Sequence, residues 1–180
     1  MTMSQRVGCA CGQVTMDVEG PHIATVECLC DSCRTAGEVL MTLPDAPRVV
    51  DDKGATPFVL HRKDRVRFLT GADQLKEYRL SPDAGTRRVV ASCCNMPVFL
   101  EMKGGHWLSL YGQLWPEGTL PMLDMRTMTG DLGSAEDLPN DVPNLTQHSW
   151  SFYARLFGAW VGMGFRNPKI IVNGELNVRG

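Results

Sequence analysis

Cys28-Leu29-Cys30-Asp31-Ser32-Cys33-Arg34 places three thiols within six residues, a density that packing alone does not ask for. A second pair, Cys9-Ala10-Cys11, lies upstream, and a third, Cys93-Cys94, lies far downstream. An odd count of seven fits a closed disulfide framework poorly. In a reducing compartment, clustered cysteines read as metal-binding or catalytic. Zinc takes four ligands in a tetrahedron with Zn–S near ~2.3 Å, so two sulfurs on one ion stand roughly 3.8 Å apart. Residues two apart on an ideal strand have Cα atoms about 6.8 Å apart. A Cys-x-Cys pair therefore chelates only where the backbone bends or the side chains converge. Gly8 and Gly12 bracket Cys9-Ala10-Cys11 and permit such a bend. In Cys30-Asp31-Ser32-Cys33 the two-residue spacer suits a tight turn, whose N–H groups can point at the thiolates and stabilise their charge. The alternatives are a redox dithiol and inert buried thiols. The Gly, Asp and Ser residues around Cys9, Cys11, Cys30 and Cys33 fit inert packing poorly.

Composition sets the frame around these residues. The chain has 180 residues, 43% apolar and 21% charged, enough to bury a core without covalent staples. A net charge of −2 argues against a nucleic-acid binder that relies on bulk charge. The basic run His61-Arg62-Lys63-Asp64-Arg65-Val66-Arg67 reads as a solvated strand face. Met1 to Arg6 has no apolar run like that of a secretory signal. The most apolar stretch, Leu156 to Phe165, is far shorter than the about 20 residues that span a bilayer. The expectation is a cytoplasmic protein with neither a membrane nor a nucleic acid as partner.

Short strands separated by turn residues predict a mainly β fold. Val14, Met16 and Val18 alternate with polar residues, and a strand from about Ile23 to Glu27 delivers the chain into Cys28. Pro44 to Pro57 reads as a long surface loop. Phe58–Leu60, Val66–Leu69 and Leu75–Leu80 are strand candidates. Pro97–Met102 and Trp107–Tyr111 flank Gly104-Gly105 as a hairpin. The expected division is residues 1–130 as a zinc β domain and 131–180 as a loop plus a helix packed on it. Asp131 to Asn144 is the loop, and Ser149 is the N-cap. Trp150, Tyr153, Phe157 and Trp160 fall on one helical face, read as packing on the sheet, or else as a pocket lid or the contact of a homodimer. Gly158 and Gly162 would let another backbone come close.

Taken in order, Gly8-Cys9-Ala10-Cys11-Gly12-Gln13-Val14, Cys28 through Gly37, Gly71 with Leu75 and Tyr78, and Cys94-Asn95-Met96-Pro97-Val98 resemble the glutathione-dependent formaldehyde-activating family, also called the centromere-protein-V domain family. The likeness covers about residues 6 to 112. It implies an Mss4-like, zinc-containing β fold with a C-terminal helical extension, and two zinc ions. One would be structural, on Cys9, Cys11, Cys94 and one more ligand. The other would sit on Cys28, Cys30 and Cys33 with an open position. The implied activity is that of a carbon–sulfur lyase joining a glutathione-type thiol to a small aldehyde.

Three positions depart from the family pattern. Ala91 stands where the distal block has its first cysteine, so Cys93 substitutes only if the chain turns between adjacent residues. Leu29 stands where many relatives have a histidine. Asn95 replaces a glycine, and asparagine is the side chain most tolerant of positive φ. Cys30 and Arg34 are the candidate catalytic residues, Arg34 either holding a substrate carboxylate or balancing the thiolates. His22, His61, His106 and His148 read as ordinary surface or loop histidines, with His106 the nearest in sequence to the distal cysteines. The competing readings are a non-catalytic zinc-stabilised binding module and a thiol-redox sensor.

Overall fold

The computed structural model describes residues 4–134 and 137–178. Met1 to Met3, part of the stretch read for a leader, lie outside the described residues, as do Ala135 and Glu136 of the Asp131–Asn144 loop. Among the described residues, ten strands form: β1 (Ser4–Gly8), β2 (Thr15–Glu19), β3 (Ala24–Cys28), β4 (Thr56–Arg62), β5 (Val66–Thr70), β6 (Leu75–Tyr78), β7 (Thr86–Ala91), β8 (Met96–Met102), β9 (Trp107–Tyr111) and β10 (Met125–Thr127). Two helices join them, α1 (Asp31–Met41) and α2 (Trp150–Gly162). A small sheet has the order β1-β2-β5, and a large one β10-β3-β4-β9-β8-β7-β6. Every strand pairing is antiparallel except β10 with β3. The protein is thus mainly β, as expected.

Strand alternation gives the large sheet two apolar faces. On one face Val59, Val89, Leu108 and Leu110 meet Val7, Met16, Val18 and Val66 of the small sheet. On the other face Val26, Phe58, Leu60 and Tyr111 meet Cys33 of α1 and Phe152 and Leu156 of α2. The result is three layers, with the small sheet, the large sheet and the helices stacked in that order. Each cysteine group belongs to a different face. Cys9, Cys93 and Cys94 pack with the core between the sheets, and Cys28, Cys30 and Cys33 with the core beneath the helices.

Helix α1 is not foreseen in the sequence reading. Its buried residues, Cys33, Ala36, Gly37 and Leu40, follow the i, i+3, i+4, i+7 pattern of one helical face. Gly37 weakens the helix by about 1 kcal/mol relative to alanine. A Cβ there would lie 2.2 Å from Val50 Cγ2, so only glycine lets the loop before β4 pack against α1. That loop runs over residues 42–55, two residues earlier than Pro44 to Pro57, because α1 ends at Met41 and β4 begins at Thr56.

Ser149 caps α2 as expected, its hydroxyl accepting a hydrogen bond from Phe152 N at 3.2 Å. The face that packs is different. Phe152 and Leu156 are buried, whereas Trp150 is 90%, Phe157 58% and Tyr153 51% exposed. Trp160 stacks on His106, whose Nε2 lies 2.8 Å from the Leu156 carbonyl oxygen. Gly162 receives no neighbouring backbone; Arg62 donates to its carbonyl at 2.9 Å. The basic run is not a solvated face either. His61 and Lys63 are buried, Lys63 is ion-paired with Glu101 at 2.5 Å, and Arg62 pairs with Asp64 at 2.7 Å. After α2 the chain returns to the edge of the large sheet, where Glu77 N donates to Gly174 O and Leu176 N to Glu77 O. No helix among the described residues is long and apolar enough to cross a membrane.

Candidate metal centres

The first centre is built from two turns brought together by the sheets. Gly12 has φ +76°, and its N–H donates to the Cys9 carbonyl at 2.9 Å, curling the chain so that Cys9 and Cys11 converge. Residues 92–95 make the opposing turn: Cys94 N donates to Ala91 O at 3.3 Å, and Asn95 takes φ +53°. This is the bend that adjacent cysteines need to face one point. The sulfur of Cys9 lies 3.5 Å from that of Cys11 and 3.8 Å from that of Cys93, and Cys11 lies 3.3 Å from Cys93. With Cys94, the four sulfurs all fall within 4.8 Å of one another. Those separations bracket the ~3.8 Å of a tetrahedral thiolate site, so the donor set fits zinc. Both Cys93 and Cys94 join the group, and Ala91, the last residue of β7 and two positions before Cys93, leaves no gap in it.

The second centre forms where β3 runs into α1. Cys28 ends the strand, Cys30 is the helix N-cap, and Cys33 lies in the first turn. Cys30 Sγ accepts a hydrogen bond from Cys33 N at 3.3 Å, so a sulfur fills the place usually taken by a serine or aspartate oxygen. The three sulfurs lie within 4.8 Å of one another. Hydrogen bonds from Cys28 and Cys33, and then the Cys33 N–H, hold the Cys30 thiol far below its ordinary range. The Cys30 sulfur pushes Cys28 up, to about 11, and Cys28 together with Cys30 pushes Cys33 higher still. Of the three sulfurs, Cys30 is the one whose surroundings most favour negative charge. At the first centre, the Gln13 backbone and Cys93 lower the exposed Cys11 to about 7, while burial raises Cys93 and Cys94.

The polar groups around the second centre differ from those expected. Arg34 is committed elsewhere: it donates to the Leu29 carbonyl at 3.1 Å and the Asp131 carbonyl at 3.0 Å, and pairs with Asp31. The cation that acts on Cys30 is Arg88 of β7, which the sequence reading missed. Arg88 is 1% exposed and donates to the Ser32 carbonyl at 2.9 Å and its hydroxyl at 2.7 Å. Tyr111, also buried, lies within electrostatic reach of Cys33, Cys28 and Arg88.

His148 is the histidine drawn toward the cysteines. Leu29 N donates to Thr127 O, while Thr129 N and Gly130 N donate to Leu145 O and Thr146 O. The chain before α2 is thereby laid beside the segment that borders the second centre. His148 stacks on Phe152 at 4.5 Å, its Nδ1 is buried without a hydrogen-bond partner, and it feels the Cys30 charge. Burial lowers its pKa. His106 only anchors α2, His61 is buried in the large sheet, and His22 stands 4.0 Å from Asp124. A cavity of about 1120 Å³, lined by residues such as Glu77, Arg79, Arg87 and Glu101, touches none of the seven cysteines.

The chain matches no protein-family model and no curated protein. Among solved structures it is similar to a Rhodobacter sphaeroides protein, a Northeast Structural Genomics target, at 17% identity and TM-score 0.47, covering 78% of this chain and 99% of that one.

Proposed function

We propose that the protein binds two zinc ions and that the three-cysteine centre is the seat of a thiol-to-aldehyde addition, as in the glutathione-dependent formaldehyde-activating family that its cysteine blocks resemble. The carrying observation is the difference in ligand count, four sulfurs at one centre and three at the other. Four protein ligands close a zinc site, whereas three leave a position for an exchangeable ligand. A zinc ion on Cys28, Cys30 and Cys33 would supply a Lewis-acid centre able to keep an incoming sulfur ionised at neutral pH.

The chain's own groups account for the remainder. The α1 N-terminus and the Cys33 N–H stabilise negative charge on Cys30. In the addition, a C–S bond forms, the carbonyl π bond breaks, and the thiol proton ends on the former carbonyl oxygen. We assign carriage of that proton to His148, the half-buried histidine that feels the Cys30 charge. The test is consumption of formaldehyde by zinc-loaded protein in the presence of glutathione, abolished in Cys30→Ser. An active Cys30→Ser variant, or no turnover by a wild type holding two zinc ions, would reject the reading.

One observation favours a non-catalytic zinc module instead: the 1120 Å³ cavity lies away from both cysteine groups. That alternative predicts two tightly held ions, with no change in the spectrum of the cobalt-substituted three-cysteine centre on adding thiol.

A further inference from the structure

Arg88 is unlike the other deeply placed cations of this protein. Lys63 is paired with Glu101, Arg87 with Glu77 and Glu101, and Arg126 with Glu27 and Asp141. Arg88 is more buried than any of them, yet among the described residues no carboxylate pairs with it. Its partners are neutral: the Ser32 carbonyl and hydroxyl, the Tyr111 side chain and, at 3.4 Å, the Thr86 hydroxyl, while its Nε has no hydrogen-bond partner. A guanidinium stays charged in any protein environment, and an uncompensated buried charge is strongly destabilising. The compensating charge must therefore come from something other than a carboxylate.

Ser32 lies inside the Cys30–Cys33 turn, so the guanidinium is held against the three-cysteine centre. Three thiolates around a divalent ion carry a net charge of −1, which Arg88 cancels. The four-cysteine centre would carry −2, but Cys11 is exposed there and water can share the charge. We infer that Arg88 is the built-in counter-ion of the three-cysteine centre, a positioning residue that lets three thiolates and a divalent cation remain together in a buried site. This rests on the two-ion reading above. Chemically, it makes the centre suited to a divalent ion with an anionic fourth ligand. A fourth thiolate brings the local charge to −1 with Arg88 present, against −2 without it.

The test is competition-titrated zinc or cobalt affinity of each centre in the full chain, for the wild type, Arg88→Gln and Arg88→Lys. Arg88→Gln keeps polar atoms near Ser32 but removes the charge. It is expected to weaken the three-cysteine centre by roughly 10- to 100-fold, the range typical of lost supporting contacts around a metal. The four-cysteine affinity should be unchanged and serves as the control for folding. Arg88→Lys, which restores the charge without the fork, should recover most of the loss. Equal weakening by Gln and Lys would mean that hydrogen-bonding shape matters and charge does not, and would overturn the inference. So would an unchanged affinity in Arg88→Gln.

A wild type that binds only one ion would instead overturn the two-ion reading on which the inference rests. A second measurement covers poor folding of Arg88→Gln. In a thermal double-mutant cycle with Cys30→Ser under saturating zinc, loss of Arg88 should lower the melting temperature less once a thiolate is gone. Strictly additive shifts would refute the coupling.

Discussion

Replacing Cys93 and Cys94 together by serine gives the sharpest test of the four-cysteine centre. These residues bring the far half of the centre to Cys9 and Cys11 across 84 positions of chain. An unfolded chain that holds one ion at all four sulfurs must first close that loop. For 84 residues the chain-entropy relation gives about 15 cal/mol/K, or about 4–5 kcal/mol at 25 °C. The folded chain has the loop closed already by its sheets, so the ion stabilises it by about that difference. Unfolding 180 residues at about 2.1 cal/mol/K each carries about 0.4 kcal/mol/K of entropy. The expected loss in melting temperature is therefore about 10–15 °C. The assay is differential scanning calorimetry of wild type and variant, each with saturating zinc and with excess chelator. The wild type should lose about that amount in chelator, and the double variant should melt low in both. Cys30→Ser makes the contrast, since its centre closes only a five-residue span and its loss should shift the melt far less. A wild-type melting temperature indifferent to chelator would refute the reasoning, as would a double variant still stabilised by zinc to the wild-type degree.

Two further outcomes follow from the packing and the charges. Leu156→Ala should cost roughly 2–5 kcal/mol, since it empties a buried contact of α2. Trp150→Ser, on the exposed face, should stay within about 0.5 kcal/mol of wild type by chemical denaturation; similar costs for the two would show that the helix packs by its other face. Hydrogen bonds from Arg87, helped by Arg79, hold the Glu77 carboxyl below its ordinary range. A carboxylate lowered on folding adds stability above its unfolded pKa of about 4.3, and that stability disappears as pH falls through the lower folded value. Glu77→Gln should accordingly flatten the decline of melting temperature below about pH 4, and an unaltered acid limb would show that the pair adds nothing.

Most strands and the Cys28-Cys30-Cys33 cluster were legible because their signals are local, namely alternation, turn glycines and ligand spacing. By contrast, β1, β7 and β10 were not read as strands, and the joining of Cys9 and Cys11 to the distal pair came from the family resemblance. The turn at Cys93-Cys94 was legible only as a condition, which Asn95 at positive φ meets. Helix α1 was hidden by Gly37 and by the strand-like apolar run Val39 to Leu43. The period of Cys33, Ala36, Gly37 and Leu40 would have revealed it, as would treating a cysteine as an N-cap. On α2, the sequence pointed to the aromatic stripe of Trp150, Tyr153, Phe157 and Trp160 as the packed face. Tertiary contact chose Phe152 and Leu156 over the larger aromatic stripe. Arg87 and Arg88 look alike in sequence, yet strand alternation sends the first to Glu77 and Glu101 and the second to Ser32. Only the pairing of β7 within the large sheet separates them. His148 comes under the Cys30 charge through the backbone bonds of Leu29 with Thr127 and of Thr129 and Gly130 with Leu145 and Thr146, and no local pattern records that.

The two cysteine groups also differ in when they can form. Cys28, Cys30 and Cys33 lie close enough in sequence to gather an ion while the rest of the chain is still being synthesised. Cys9 and Cys11 must wait for Cys93 and Cys94, and hence for most of both sheets. Chain connectivity therefore lets the three-cysteine group assemble before the four-cysteine group. Without metal, that late closure rests on the apolar core between the two sheets alone.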